Sequence, residues 1–422
     1  MSRTMKRSGV PWLGDMPAGW KIAPLSQLTR RVDNPNEGMA ERNLLSLSHG
    51  RIVRKDMETA SGLVPQSYAG YNRIQPDDIV LRLTDLQNDQ RSLRVGLSHD
   101  RGIVTAAYLT VRPSDECSPD YLAYAIKVFD FRKGFYGIGS GVRQSLKFNE
   151  IKRILFPIPP LPQQRRIAAF LDGVVAKIDG IRDKIQREIE HLGDYKKSLI
   201  AETVCHGIRG GNRPFKPSGI PWLGNVPAEW EVMPLSQLTH QVRDPNEGMV
   251  ERNLLSLSYG RIIRKDMETA SGLVPENYAG YNRIQPDDIV LRLTDLQNDQ
   301  RSLRVGLSKD RGIVTSAYLT IRPIVNCCPD YVAYAIKVFD FRKGFYGIGS
   351  GVRQTLKFNE VKRIQVPLPS IPEQCAIADY LDRATAAIDA AVEARKGLLE
   401  KLDALKKTTI MEYTTGKKEV LA

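Results

Sequence analysis

The sequence contains few of the residues that mark a disulfide framework or a metal site. Its 422 residues include five cysteines and five histidines. No two cysteines stand at Cys-x-x-Cys spacing, and no histidines follow a cysteine pair at zinc-finger spacing. We therefore expect reduced thiols, a cytoplasmic location and no structural metal ion.

Long apolar runs are missing as well. Nowhere does the chain reach the roughly 18 consecutive apolar residues that a membrane span requires. The basic amino-terminal stretch MSRTMKRSGVPWLG lacks the apolar segment of a signal peptide. Membrane insertion and secretion are therefore not expected, and the apolar fraction of 42% is typical of a soluble globular protein.

The common catalytic signatures are also absent. The sequence has no Gly-x-x-x-x-Gly-Lys-Ser/Thr phosphate loop, no His-Glu-x-x-His zinc motif and no Gly-x-Ser-x-Gly nucleophile turn. His49 and His99 become Tyr259 and Lys309 in a second copy of the same segment, which argues against either histidine as a general base. No residue is assigned a catalytic role.

One long segment is present twice. Residues 41–113 and 251–323 differ at only seven positions, at a constant offset of 210 residues. The similarity resumes at Asp120 and Asp330 and weakens in the segments that follow. A repeat of this length is a domain duplication, because solenoid repeats have periods of roughly 20–50 residues. Two copies of one recognition unit should bind a target that itself contains two similar parts.

Positive charge is in excess. The chain has 61 lysines and arginines against 48 acidic residues, a net charge of +13 and a pI of about 9.4. This excess favours a polyanionic partner, most simply nucleic acid. A basic but otherwise ordinary surface is the alternative interpretation of charge alone.

Each copy has the pattern of a small β-rich domain. Short apolar runs such as NLLSLS at Asn43 and DIVLRL at Asp78 are separated by Gly, Pro, Asp and Asn, which is typical of short strands. Ser118 can cap a following helix, with Pro119 in its first turn and Asp120 complementing the helix dipole. Trp12 and Trp20 are expected in the core.

Each copy is followed by about 40 residues in which apolar side chains recur every three or four positions. Helices of this length are not stable alone and should pack on each other. The predicted fold class is α+β, with two β-rich globular domains separated by two long antiparallel coiled-coil helices in pseudo-twofold symmetry. The predicted boundaries are 1–160 for the first domain, 161–207 for the first helix, 208–220 for a linker, 221–370 for the second domain and 371–422 for the second helix and tail. The predicted partner-binding residues of the helices are Ile178, Ile185, Leu192, Ile388, Leu398 and Leu402.

Two strings imitate catalytic motifs. Residues 135–139, FYGIG, match the methyl-donor loop of amino-methyltransferases, but they follow a predicted helix, and the Asn/Asp/Ser-Pro-Pro-Tyr/Phe string that would hold the target amine is absent. Pro119 and Asp120, with Glu150 and Lys152, imitate a PD…ExK nuclease core, although helix capping explains the first pair better. A self-sufficient methyltransferase or nuclease is therefore the alternative function, and a structural coiled-coil adaptor is a third.

Basic and polar side chains in loops are the candidate binding residues. Arg pairs with guanine, and Asn or Gln with adenine, while Arg, Lys and loop amides suit phosphates. A solvated loop is the alternative for any single residue, but each cluster recurs in both copies. The predicted DNA-binding residues of the first copy are Arg51, Arg82, Thr84, Gln87, Asn88, Arg91, Arg94, Arg132, Lys133, Gly141, Arg143, Gln144 and Lys147. Those of the second copy are Arg261, Arg292, Thr294, Gln297, Asn298, Arg301, Arg304, Arg342, Lys343, Gly351, Arg353, Gln354 and Lys357.

With these features the chain resembles the specificity subunits of type I restriction–modification systems. The resemblance is carried by the SGxPWLG segments at Ser8 and Ser218, the QPDDIVLRL strand and the GSGVRQ and LKFNEIKRI stretches. It continues through the proline-rich turn into the helix openings IAAFLD and IADYLD. It covers nearly the whole chain, in the order domain, helix, domain, helix.

The resemblance implies that the chain does no chemistry and binds double-stranded DNA. Two modification subunits would carry S-adenosylmethionine and methylate adenine, and restriction subunits would use ATP and Mg for translocation and cleavage. This chain itself would bind no cofactor. Members of that family usually carry two different target-recognition domains, whereas the two here are near copies. The expected site is therefore an interrupted inverted repeat.

Overall fold

The structure is a computed structural model that describes residues 4–57, 67–89, 92–138, 145–208, 213–267, 277–299, 303–324, 326–348 and 355–420. It contains two compact units. Unit 1 comprises Met1–Ile185 and Gly397–Ala422, and unit 2 comprises Gln186–Lys396. Both units mix strands with helices, and each contains parts of both long helices.

Unit 1 has short strands and three helices ahead of the first long helix. Its strands are β1 Met5–Arg7, β2 Asp15–Pro17, β3 Lys21–Pro24, β4 Thr29–Val32, β5 Leu45–Ser48, β6 Arg51–Arg54, β7 Asn72–Ile74, β8 Ile79–Leu81, β9 Val95–Leu97, β10 Gly102–Val104, β11 Leu109–Pro113 and β12 Leu155–Ile158. Its helices are α1 Leu25–Leu28, α2 Pro119–Phe131, α3 Phe148–Ile151 and the first part of α4 Leu161–His206, with 3₁₀ turns at Glu37–Met39 and Gly134–Gly137.

Unit 2 repeats this element order. Its strands are β13 Phe215–Pro217, β14 Asn225–Pro227, β15 Glu231–Pro234, β16 Thr239–Val242, β17 Leu255–Ser258, β18 Arg261–Arg264, β19 Asn282–Ile284, β20 Ile289–Leu291, β21 Val305–Leu307, β22 Gly312–Val314, β23 Leu319–Pro323 and β24 Gln365–Leu368. Its helices are α5 Leu235–Leu238, α6 Pro329–Phe341, α7 Phe358–Val361 and the first part of α8 Ile371–Thr414, with 3₁₀ turns at Glu247–Met249 and Gly344–Gly347.

A four-stranded antiparallel sheet is the largest sheet of each unit. Its strand order is β4-β11-β8-β9 in unit 1 and β16-β23-β20-β21 in unit 2. Thr110 of β11 lies opposite Val32 on one side and Val80 on the other. The other strands pair in twos, among them the β5–β6 hairpin and its counterpart β17–β18. The hairpin turn places His49 and Gly50 at positive φ, the conformation that fits a tight two-residue connection.

The apolar core of unit 1 joins the sheet to α2 and to both long helices. Leu81, Tyr121, Leu171 and Ile410 are buried in one cluster, which draws on β8, α2, α4 and α8. Burying such side chains supplies most of the folding free energy, at about 25 cal/mol per Å² of apolar surface. Trp20 is buried in the same cluster, as predicted, whereas Trp12 is partly exposed and packs against its edge.

Each unit is completed by the carboxyl-terminal part of a long helix. In unit 1 the Tyr121 hydroxyl lies 3.0 Å from the carbonyl oxygen of Thr414, near the end of α8. In unit 2 the Tyr331 hydroxyl lies 3.4 Å from the carbonyl oxygen of Val204, near the end of α4. Within the described part of the chain, no helix has both the length and the hydropathy of a bilayer-crossing segment.

Candidate nucleic-acid interface

Two of the predicted basic clusters meet in each unit around one buried arginine. In unit 1, residues 82–89 connect β8 towards β9 and are named the pinned loop; residues 292–299 are its counterpart in unit 2. The pinned loop contacts the segment after α2, because the Tyr136 hydroxyl lies 3.5 Å from the Asp89 carbonyl oxygen. It also contacts the residues that lead into α3, because the Leu146 N–H donates to the Leu83 carbonyl at 2.9 Å.

Arg94 holds the pinned loop from inside. Its guanidinium donates to the carbonyls of Arg82 and Thr84, both at 2.9 Å, and to the Asp89 carbonyl. Its Nε donates to the Tyr136 hydroxyl at 2.9 Å. Five N–H donors in a rigid fork allow one arginine to hold several carbonyls together. The conformation of the loop therefore depends on this side chain.

The same geometry corrects the prediction for Arg94 and Arg304, which were expected to contact DNA. Arg94 is 0% exposed, and so is Arg304. Arg304 donates to the carbonyls of Arg292 and Thr294 at 2.9 and 3.1 Å and to the Tyr346 hydroxyl at 3.0 Å. A guanidinium that is buried and donates to backbone carbonyls and a tyrosine hydroxyl is not accessible to a base or a phosphate. Both arginines are assigned the role of holding the loop.

A buried carboxylate fixes the backbone of each arginine. Asp130, in the last turn of α2, accepts a hydrogen bond from the Arg94 N–H at 3.0 Å, and Asp340 accepts from the Arg304 N–H at 2.9 Å. Burial raises the pKa of Asp130, while the hydrogen bond and the positive charge of Arg94 oppose that rise. The same causes raise the pKa of Asp340. We did not predict a role for these aspartates from the sequence, although a carboxylate within the mainly apolar helix YLAYAIKVFDF already indicates a buried, hydrogen-bonded group.

The other described residues of these clusters present side chains at the surface. Gln87, Asn88, Arg132, Lys133 and Lys147 are exposed, while Arg82 and Thr84 are partly buried. The Asn88 side-chain amide donates to the Asp85 carboxylate at 2.8 Å, and Arg82 lies 3.2 Å from the Asp89 carboxylate. Exposed amides and cations on a loop of fixed shape are the groups that bind base edges and phosphates.

Unit 2 reproduces this surface. Gln297, Asn298, Arg342, Lys343 and Lys357 are exposed, and Arg292 and Thr294 are partly buried. Lys343 has a left-handed φ of 60° and stacks over the Tyr346 ring at 5.0 Å, as Lys133 does over Tyr136 at 4.7 Å. Arg342 donates to the Trp222 carbonyl.

Arg51 and Arg261, also predicted to bind DNA, lie apart from the pinned loops at the β5–β6 and β17–β18 hairpins. Arg51 pairs with Asp179 of α4, and Arg261 pairs with Asp389 of α8. The same aspartates also pair with a lysine: Asp179 with Lys406 at 2.8 Å, and Asp389 with Lys196 at 2.7 Å. These arginines therefore tie the hairpins to the helices.

Several predicted residues lie outside the described part of the chain. They are Arg91, Gly141, Arg143, Gln144, Arg301, Gly351, Arg353 and Gln354. Their assignment to DNA binding stays a prediction from the sequence.

The predicted partner-binding residues of the long helices differ in exposure. Ile178, Ile185 and Ile388 are buried within their units, Leu192 and Leu402 are partly buried, and Leu398 is exposed. The three buried residues serve the packing of the chain itself. Leu398 is the member of this set whose side chain is most available to another subunit.

The residues that imitate catalytic motifs cap helices or lie in helical turns. The Ser118 hydroxyl accepts the Tyr121 N–H at 3.5 Å, so Pro119 and Asp120 form the first turn of α2. Glu150 accepts the Lys147 N–H at 2.6 Å at the start of α3. Phe135, Tyr136 and Gly137 lie in a 3₁₀ turn after a helix. The described residues also contain no group of His, Cys, Asp or Glu side chains that could hold a metal ion.

Comparison with known proteins matches this architecture to one family. A family model for the type I restriction modification DNA specificity domain matches residues 103–191. The putative MjaX specificity subunit of Methanocaldococcus jannaschii is 21% identical over 96% of this chain and 95% of its own length. The EcoKI specificity subunit of Escherichia coli is 22% identical over 48% of this chain and 46% of its own length.

A solved structure supports the fold. A chain from a study of complex assembly and conformational transition in a type I R-M system matches with a TM-score of 0.65. The match covers 96% of this chain and 99% of that chain at 14% identity. The α+β fold with two domains is therefore shared with that protein. Taken with the sequence matches, the chain is similar to the specificity subunits of type I restriction–modification systems.

Proposed function

We propose that this chain reads a bipartite DNA site, with one pinned loop and its neighbouring basic segment contacting each half. As a specificity subunit, the chain is the non-catalytic, DNA-recognising component of its system. The observation that carries the proposal is the repetition of one surface in both units. The buried arginine, its carboxylate and the exposed amides and cations recur residue for residue at an offset of 210.

The two halves of the site should be nearly the same sequence in inverted orientation. Support comes from the helix contacts inside each unit. In unit 1, Asp179 pairs with Lys406 and Arg182 pairs with Asp403. The residue numbers of the partners on α8 therefore decrease as the residue numbers on α4 increase. In unit 2, Glu188 pairs with Arg395 and Lys196 with Asp389, in the same sense. This is the pattern of antiparallel helices, and a pseudo-twofold arrangement on such helices would present the two readers to an interrupted inverted repeat.

The chemistry is proposed to lie on partner subunits. Two modification subunits would bring S-adenosylmethionine and methylate adenine in each half-site, and restriction subunits would bring ATP- and Mg-dependent translocation and cleavage. This chain would bind none of these cofactors. The alternative, a self-sufficient methyltransferase or nuclease, is disfavoured because Ser118 caps α2, with Asp120 in its first turn, and because Glu150 accepts a capping hydrogen bond at the start of α3.

The direct test maps methylated adenines in a strain with and without this chain. We expect one motif to disappear with the chain, with two nearly identical inverted halves around an unread spacer. Two unrelated halves, or a direct repeat, would refute the inverted-repeat proposal. Turnover of labelled S-adenosylmethionine, or cutting of DNA by the purified chain alone, would refute the non-catalytic assignment.

A paired substitution tests the phosphate contacts. Lys147→Ala with Lys357→Ala removes two exposed cations and should weaken binding to specific and unrelated DNA alike. The slope of log K against log salt should decrease by about 2, because each lost phosphate contact releases roughly one counterion fewer. Lys55→Ala with Lys265→Ala, outside the proposed surface, is the control that should leave the slope unchanged.

A further inference from the structure

The long helices of the two units differ at one aromatic contact. In unit 1 the Phe170 ring of α4 lies against the Tyr413 ring of α8, with ring centroids 4.5 Å apart and planes at 43°. At the constant offset of 210 residues, Tyr380 of α8 takes the place of Phe170 in unit 2. Thr203 of α4 takes the place of Tyr413. Unit 2 therefore keeps one ring of the pair and has a small side chain in place of the other.

The helix turns that carry this difference are otherwise placed alike. Ile200 in unit 2 and its counterpart Ile410 in unit 1 are each 2% exposed. The carbonyl oxygens of Val204 and its counterpart Thr414 each accept a hydrogen bond from the equivalent tyrosine hydroxyl of their own unit. The helix therefore has the same position in both units, and unit 2 lacks the volume of one ring.

A cavity lies in unit 2 where that ring is missing. Its volume is about 410 Å³, and it is lined by Tyr195, Ser198, Leu199, Glu202, Thr203 and Tyr380. Thr203 is buried and Tyr380 is partly buried, whereas the Tyr195 side chain is 57% exposed. The cavity is therefore open to solvent on the side of Tyr195 and bounded by protein at Thr203.

The lining residues define the chemistry of an occupant. Unit 1 fills the equivalent space with the phenolic ring of Tyr413, stacked on Phe170. Contacts between aromatic rings are favourable beyond the apolar area that they bury, and Tyr380 offers such a ring in unit 2. The Glu202 carboxylate, 44% exposed and 3.1 Å from His206, can also accept a hydrogen bond from a phenolic hydroxyl. A tyrosine side chain matches both groups.

We propose that this cavity binds a tyrosine side chain presented by another polypeptide, in the place that Tyr413 occupies in unit 1. A side chain is favoured over a free small molecule, because pockets for small molecules enclose most of the ligand surface and this cavity is open. The equivalent space of unit 1 is already filled. A partner that uses the site therefore binds the two units unequally, although their recognition domains are near copies.

The test uses the full chain and N-acetyl-tyrosinamide as the probe. Saturation transfer from the protein to the ring protons of the probe is measured by NMR. We expect transfer with the wild-type chain and its loss in Thr203→Tyr, which places the unit 1 residue in the cavity. Tyr413→Thr opens the equivalent space in unit 1 and should increase the transfer. N-acetyl-leucinamide, which has no ring, is the control probe and should give much weaker transfer.

A second measurement shows whether the cavity accepts a ring at all. Thr203→Tyr restores with Tyr380 the aromatic pair that unit 1 has, and it should raise the thermal unfolding midpoint by about 2–4 °C. Tyr413→Thr removes that pair from unit 1 and should lower the midpoint by a similar amount. A lower midpoint for Thr203→Tyr would mean that the space does not fit a tyrosine ring, and would overturn the proposal.

Other outcomes would also contradict the proposal. Equal transfer to the probe from wild type and Thr203→Tyr would place the probe elsewhere on the chain. Transfer to p-cresol without transfer to N-acetyl-tyrosinamide would assign the cavity to a free small molecule. Self-association of the wild-type chain that Thr203→Tyr abolishes, measured by sedimentation, would assign it to a second copy. The proposal does not depend on the DNA-reading function and can fail or succeed separately from it.

Discussion

In unit 1 the Trp20 indole donates to a neutral side chain, Gln163, at 3.0 Å. In unit 2 the Trp230 indole donates to Glu373 at the same distance, and Glu373 also accepts from Arg213 at 2.8 Å. Both units therefore keep the tryptophan and its hydrogen bond to the long helix. The accepting residue is neutral in unit 1, where it is Gln163, and negatively charged in unit 2, where Glu373 also binds Arg213. Both contacts join a recognition domain to the first turn of its helix.

The loops that face outward differ much less than these junctions. Arg94 and Arg304 hold the same carbonyls at distances that agree within 0.2 Å. Near the junctions, Ser118 and His99 are replaced by Cys328 and Lys309. The pinned loops therefore keep the same residues and contacts in both units, whereas the contacts that join each domain to its helix differ.

The largest expected effect comes from removing the arginine that both units share. Arg94→Met or Arg304→Met leaves buried carbonyls without donors, and each should lower the free energy of unfolding by about 3–5 kcal/mol. Equal losses in urea unfolding would support the equivalence of the two pinned loops. Arg82→Met, which breaks only a partly exposed ion pair, is the control and should cost less than about 1 kcal/mol. An unchanged stability for either buried arginine would contradict the assigned role.

A second shared contact lies in the four-stranded sheets. The Asp78 side chain is 0% exposed and accepts two hydrogen bonds from Arg112, at 2.6 and 2.9 Å. Asp78→Asn should cost about 2–3 kcal/mol, because one charged hydrogen bond is lost in a buried site. Asp288→Asn should cost the same in unit 2, where Arg322 takes the place of Arg112. Thermal unfolding measures both losses of stability. Asp33→Asn, which changes an exposed carboxylate, is the control and should leave the stability nearly unchanged.

The sequence allowed the order of elements to be predicted, because a duplicated pattern and helical periodicity are local signals. Ser118 as a helix cap and Trp20 as a core residue followed from such signals, and the structure confirms both. The burial of Arg94 could not be predicted, since it depends on Asp130, 36 residues away in the chain. A pattern of arginine, glutamine and asparagine has the same appearance whether a given arginine faces DNA or holds the loop from inside.

The aspartates that tie the hairpins to the helices should have unequal effects. The Asp179 side chain is 11% exposed and that of Asp389 is 31% exposed, so Asp179→Asn should cost about 1–2 kcal/mol and Asp389→Asn less. Burial raises the pKa of Asp179, but hydrogen bonds and charges from Lys406 and Arg51 outweigh it and lower the pKa. A lowered pKa stabilises the fold above the ordinary pKa of aspartate. Urea unfolding between pH 7 and pH 3 should show this contribution disappearing below about pH 4, and a pH-independent difference between wild type and Asp179→Asn would contradict it.

The smallest expected effect belongs to the exchange at His99 and Lys309. Lys309 pairs with Asp330 at 2.6 Å, with 63% of the lysine side chain exposed. Burial lowers the pKa of Lys309, but the hydrogen bond and charge of Asp330 outweigh it and raise the pKa. The pair therefore stabilises unit 2 below the ordinary lysine pKa and is lost at strongly alkaline pH.

Because exposed pairs contribute about 0.2–1 kcal/mol, Lys309→His should destabilise unit 2 by that amount, and His99→Lys should stabilise unit 1 by a similar one through Asp120. The exchange could instead change which half-site is methylated and leave stability unchanged. In that case Lys309 contacts DNA, and its pair with Asp330 does not explain the difference between the two units.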